Sequence, residues 1–130
     1  MLDVPMTFDK VNHAFHKTAY VLLLAFSFAF VAFAHAILVK STPSANAIVT
    51  GPNVPVVLTF NSKVDQTRSA LTLEGPDHSA SKVPIIVDRS SPARLMAKLS
   101  KMAAGPYDLR WQVLAADGHI TRGEIPFRVK

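Results

Sequence analysis

The chain has 130 residues, no cysteine, 14 Lys and Arg against 9 Asp and Glu, and a formal net charge of +5. That length admits one domain beside a leader and excludes two, and the missing cysteines exclude both a disulfide framework and a thiolate metal site. The basic residues from Lys40 to Lys130 stand singly, with no run and no interleaved aromatics, which argues against a nucleic-acid surface and fits a basic soluble face able to lie against an anionic membrane.

Thr18 to Ala34 is uncharged and rich in Leu, Phe, Val and Ala, and it follows a short segment holding Lys10, His13, His16 and Lys17. This is the pattern of a secretory signal. Ala32 and Ala34 occupy the two small-residue positions that a signal peptidase reads, so cleavage after Ala34 is expected. Residues 1–34 would then be a removed signal peptide, and residues 35–130 the exported domain. The competing reading is an uncleaved anchor, for which a run of 17 residues lies at the lower edge of the roughly 17 to 25 that a spanning helix needs. A cut after Ala36 also satisfies the small-x-small rule and would discard His35. The position of the cut has chemical weight. A histidine freed at position 35 offers a metal its amine and its ring Nδ1, close enough to close a chelate ring; in an uncut chain that amine is an amide.

Beyond the leader no helical spacing is sustained, whereas short alternating runs recur between clusters of Pro, Gly, Asn, Asp and Ser, which is an all-β pattern. Ala36 to Val39 is a first strand, ended by Ser41-Thr42-Pro43. Val54 to Phe60 puts Val56, Leu58 and Phe60 on one face, and Ser69 to Leu73 does the same with Leu71 and Leu73. After the polar loop Gly75 to Ser79 come Val83 to Val87 and Arg94 to Leu99. Tyr107 to Val113 has the strongest alternation, with Tyr107, Leu109, Trp111 and Val113 facing one way, and Gly123 to Val129 closes the set. Pro126 cannot donate to a ladder, which predicts an edge position or a bulge for that last strand. Seven short strands of this kind predict a Greek-key β-sandwich or barrel, cupredoxin-like or immunoglobulin-like, whose apolar core must hold it without disulfides.

The inventory for chemistry in residues 35–130 is short: His35, His78 and His119 are its only histidines. Asp117-Gly118-His119 lies between the two best strands, and Gly118 lets the backbone turn so that a carboxylate and an imidazole face one centre. Asp-Gly is equally a plain hairpin signal. A free His35 would complete an amine, two imidazoles and a carboxylate, an N3O set that suits tetragonal Cu(II), with zinc as the other candidate metal. His78 beside Asp77 reads as a solvent-exposed loop histidine. Met96 and Met102 read as packing or surface residues. No Gly-x-Ser-x-Gly elbow occurs, and a triad built on Asp117 and His119 would lack a nucleophile.

His35-Ala36 after a signal, Ser41-Thr42-Pro43, Val57-Leu58-Thr59-Phe60, Ala104-Gly105-Pro106-Tyr107 leading into Leu109-Arg110-Trp111, and Asp117-Gly118-His119 before Gly123 together resemble the CopC family of periplasmic copper-binding proteins. The resemblance spans essentially all of residues 35–130. It implies a Greek-key β-barrel binding one Cu(II) through His35, Asp117 and His119, and a role as copper carrier or buffer in homeostasis or resistance, not as an enzyme. It also implies a CopD-like inner-membrane partner. Two features depart from the pattern. The segment Gly75 to Pro84 lacks the methionines with which some members bind Cu(I), which implies a Cu(II)-only protein; and Ser62 stands where many members place a glutamate near the copper. Two other functions fit parts of the sequence: a copper monooxygenase built on a histidine brace, for which no aromatic platform beyond Trp111 and Tyr107 is seen, and a metal-free interaction domain, expected if the cut falls after Ala36.

Overall fold

Alternation of apolar and polar side chains along a strand leaves one face to bury, and two such faces closed on each other make a sandwich. The computed structural model describes residues 35–130 in this form; the expected signal helix and its cleavage site lie outside the described residues. Eight strands run in order: β1 Leu38–Thr42, β2 Ala47–Val49, β3 Val54–Phe60, β4 Val64–Glu74, β5 Ala80–Val83, β6 Arg94–Leu99, β7 Gly105–Ala115 and β8 Ile120–Val129. They form a three-stranded sheet, β1-β3-β6, and a five-stranded sheet, β2-β8-β7-β4-β5. The all-β expectation holds, but the count of seven is corrected to eight by β2, a three-residue strand paired in parallel with β8.

The core lies between the sheets. Val56, Leu58, Leu95 and Ala97 from one meet Leu71, Leu109, Trp111, Val113, Ile125 and Phe127 from the other. Trp111 is 8 % exposed and meets Phe60 edge to face, with ring centroids 5.3 Å apart. Its cross-strand neighbour is Gly123, where an added Cβ would fall 2.4 Å from Trp111 Cζ2. Glycine there is what allows the indole to fill the space between β7 and β8.

Several boundaries move. The expected strand Val83 to Val87 is replaced by β5 at Ala80–Val83, which pairs with the end of β4, while Ile86 makes only an isolated bridge to Met96. The first strand starts later, at Leu38, and runs through Ser41 and Thr42. Pro126 does not put β8 at an edge, because β2 covers it. The Pro126 carbonyl accepts from Asn46 N at 2.6 Å, and the first pair of β2 falls one residue later, at Ala47 and Phe127. The missing N–H thus points to the side where pairing has not yet begun. A buried polar residue also joins the frame: Gln66 donates from Nε2 to the carbonyls of Asp88, Ser91 and Arg94 at 2.9–3.0 Å and accepts from Asp88 N at 2.8 Å, tying β4 to the loop before β6.

Candidate metal centre

The β7–β8 hairpin closes through Ala116 to His119. Gly118 N donates to Ala115 O at 3.0 Å and Ala115 N to His119 O at 2.8 Å. Gly118 has a φ of 87°, in the left-handed region that glycine enters without steric cost. No heavy atom lies within 4 Å of a Cβ built there, so backbone conformation, not crowding, calls for glycine. The turn is capped by Asp117, whose Oδ1 accepts the His119 backbone N–H at 3.0 Å.

That cap leaves Oδ2 facing the two histidines. His119 Nδ1 stands 2.6 Å from it and His35 Nδ1 3.9 Å. The two imidazoles lie with centroids 4.8 Å apart, tilted by 38°. One donor atom from each of His35, Asp117 and His119 falls within 4.8 Å of the others, and among the described residues this is the group of three so arranged. The backbone N–H of His119, then its ring and the charge of His35, hold the Asp117 carboxyl below the ordinary carboxylate range against a smaller opposing effect of burial. Asp117 is therefore an anion at neutral pH. Its side chain is 22 % exposed, against 63 % and 64 % for the histidines, so the carboxylate is the anchored member and the rings open to solvent. In the tautomer that donates from His119 Nδ1 to Asp117, Nε2 would be the open lone pair of that ring.

Two donors on one ion, each bound at about 2 Å, stand no more than about 4 Å apart. Closing the widest gap of 4.8 Å therefore takes a movement of about an ångström, within reach of exposed imidazoles. The donor set, nitrogen and carboxylate with no sulfur, is one that suits copper or zinc.

The other expectations fall out as follows. His78 lies in the β4–β5 loop, apart from this group, with Nδ1 3.2 Å from Glu74 Oε1. Met102 packs partly buried against the core, and Met96 lies on the outer face of β6. Ser62 follows β3 and is half-buried. Two residues that sequence reasoning did not single out contact the segment after His35: Asn61 exchanges hydrogen bonds with Ile37, and Thr121 Oγ1 donates to Ala36 O. Ordinary polar residues with no motif around them carry no signal by which sequence alone would have found them.

Fold and site together define a small β-sandwich with an open His–Asp–His cluster at one end. More particularly, the family model described as the CopC domain matches residues 38–130, and the chain belongs to that family. The match includes Asp117 and His119 and begins three residues after His35. The chain is 32 % identical over 99 residues to Protein YobA of Escherichia coli strain K12, covering 75 % of this chain and 80 % of YobA. It is 31 % identical over 113 residues to Copper resistance protein C of Xanthomonas campestris pv. juglandis, covering 76 % of this chain and 83 % of that protein. Among solved structures it resembles CopC from Methylosinus trichosporium OB3b, with a TM-score of 0.67 and 28 % identity over 74 % of this chain and 94 % of that one. It also resembles PcoC, a methionine-rich copper resistance protein from Escherichia coli, with a TM-score of 0.61 and 25 % identity over 75 % of this chain and all of that one.

Proposed function

We propose that this chain is a periplasmic Cu(II) carrier or buffer: exported, cut after Ala34, and holding one Cu(II) through the amine and ring of His35, the ring of His119 and the carboxylate of Asp117. The observation that carries this reading is the convergence of His35 on Asp117 and His119 with donor atoms within 4.8 Å. Copper is cargo here. An anchored carboxylate flanked by two exposed rings suits an ion that must enter and leave, because nothing has to open before the donors are reached. The names borne by the Xanthomonas and PcoC relatives, copper resistance proteins, point the same way, and the absence of cysteine leaves no thiolate to favour Cu(I). A CopD-like inner-membrane protein would be the partner that takes or supplies the ion.

Amine and imidazole nitrogens must shed protons to bind, and they ordinarily titrate near 8 and 6.5. Affinity should therefore fall steeply from about pH 8 to 5. The test is a competition titration with Cu(II) at several pH values on two forms, one starting at His35 and one with a single extra residue before it. The native-start form is expected to bind one Cu(II) far more tightly and with the steeper pH dependence, both forms giving the same circular dichroism. Equal affinities would remove the amine from the site, and an exported chain found by intact mass to start at Ile37 would remove His35 altogether.

A further inference from the structure

Chain ends ordinarily fray unless something ties them down. His35 precedes the first ladder, since β1 begins at Leu38, and yet its ring lies 4.8 Å from that of His119. The ties are on the two residues that follow it. Ala36 is fully buried, and its carbonyl accepts from Thr121 Oγ1 at 2.9 Å. Ile37 N donates to Asn61 Oδ1 at 2.8 Å, and Asn61 N returns a bond to Ile37 O at 3.0 Å. Asn61 follows β3 of the three-stranded sheet, and Thr121 lies in β8 of the five-stranded one. The backbone just behind His35 is thus fastened to both sheets, and one fastening, Thr121 in β8, is two residues beyond His119 in the chain.

We propose that Thr121 and Asn61 are positioning residues for the N-terminal donor pair: by clasping the backbone of Ala36 and Ile37 they keep the amine and ring of His35 within reach of the ion held by Asp117 and His119. The inference rests on the reading of His35 as a ligand. A chelating terminus free to swing would have to be ordered at each binding event, whereas a clasped one is ordered beforehand, and preorganisation of this kind raises affinity without adding a contact to the metal. Side chains that orient ligands without touching the ion commonly contribute 10–100-fold in metal affinity.

The experiment uses residues 35–130 starting at His35 and the same protein with one extra residue ahead of it, each as parent, Thr121→Val, Thr121→Ser and Asn61→Ala. Cu(II) affinity is read by competition titration and coordination by electron paramagnetic resonance, well below the melting temperature of each variant. In the native-start form Thr121→Val and Asn61→Ala should each weaken binding about tenfold or more and spread the copper signal over more than one species. Thr121→Ser, which keeps the hydroxyl, should restore both. With the extra residue in front, the same substitutions should weaken binding much less, because only the ring of His35 is left for them to position; a merely structural role would weaken both forms alike. Should Thr121→Val disturb folding, Asn61→Ala at an exposed position carries the test. Parent-like affinity and an unchanged signal in the native-start variants overturn the clasp while leaving the ligand reading standing. Equal affinity of the two parents removes the amine as a ligand, and the clasping of a donor pair is overturned with it.

Discussion

Two loops of this chain set an aspartate beside a histidine, at opposite ends of β7, and only one of them assembles a cluster of donors. In the β4–β5 loop, Asp77 Oδ1 accepts Ser79 N at 3.1 Å and Ser79 Oγ at 2.6 Å, the same kind of turn that Asp117 makes with His119 N. His78 there has a φ of 61°, so a non-glycine residue carries the left-handed position that Gly118 fills in the other loop. The difference lies in what the rest of the fold brings alongside. His78 faces Glu74, whose other oxygen already receives Arg110 Nη2 at 2.5 Å. That carboxylate is already neutralised by a guanidinium. At the other end Asp117 meets no Arg or Lys among the described residues, and a second imidazole arrives from His35, ahead of β1. Local motif makes the turn; the topology decides whether its carboxylate is neutralised from within or left facing nitrogen donors.

The largest expected effect breaks the comparison by removing what the two loops share. Trp111 sits mid-way along β7, buried against Phe60 and beneath Gly123. Trp111→Ala should cost about 3 to 5 kcal/mol in unfolding free energy, measured by denaturant titration. Both loops would lose their common strand, although the variant, where still folded, should bind Cu(II) in the parent's stoichiometry. A loss under about 1 kcal/mol would mean that the indole is not the packing centre described above.

The next effect sharpens the comparison. His119→Ala removes one of the three proposed side-chain ligands and should weaken Cu(II) binding by more than about a hundredfold, beyond what orienting partners usually contribute, with folding unchanged because the residue lies in an exposed loop. His78→Ala should leave the affinity of that site unaltered. Isothermal or competition titration of the pair decides it: if the two variants lost affinity equally, the distinction between the loops would collapse.

How much of this was legible in the sequence follows the same division between local pattern and topology. β3, β6, β7 and β8 announce themselves, because alternation such as Leu95, Ala97, Leu99 reports which face is buried. β2 does not, since Ala47-Ile48-Val49 is too short to show a period and exists by pairing with Phe127 to Val129. β5 was misplaced toward the apolar run ending at Val87 because its true position is set by the ladder to Leu71–Glu74, with Val83 as its single buried residue. Gln66 carries no signal in the sequence, because its partners, the carbonyls of Asp88, Ser91 and Arg94, lie more than twenty residues away. The members of the cluster were legible as residue types suited to a metal, and Asp117-Gly118-His119 as a turn. Their distances were not, because the approach of His35 depends on Asn61 and Thr121, whose own neighbourhoods in the sequence say nothing about His35.

The smallest effect concerns the aspartate turn itself, which the two loops share with a third that has no histidine. At the bulge in β4, Asp65 Oδ1 accepts from Thr67 N, Thr67 Oγ1 and Arg68 N at 2.8–3.1 Å, and Oδ2 accepts from Arg68 Nε at 2.8 Å. The Arg68 side chain first, then the Thr67 hydroxyl and the Arg68 backbone, lower the Asp65 carboxyl from 3.8 to about 2. The folded-state value lies below the unfolded one, so the unfolded chain takes up the proton first on acidification. The stabilisation is then complete above the unfolded value and drains away as pH falls through the folded one. The Asp65 side chain is 27 % exposed and its Arg68 partner 73 %, so solvent screening keeps such contributions small. Asp65→Asn should therefore lower the melting temperature slightly at pH 7, and the gap to the parent should close between about pH 4 and pH 2. Thermal melts at steps of pH across that window check it. A gap that persists undiminished to pH 2 would show that Asp65 acts through the shape of the turn, which asparagine mimics poorly, and not through its charge; the turns at Asp77 and Asp117 would then have to be read as matters of geometry as well.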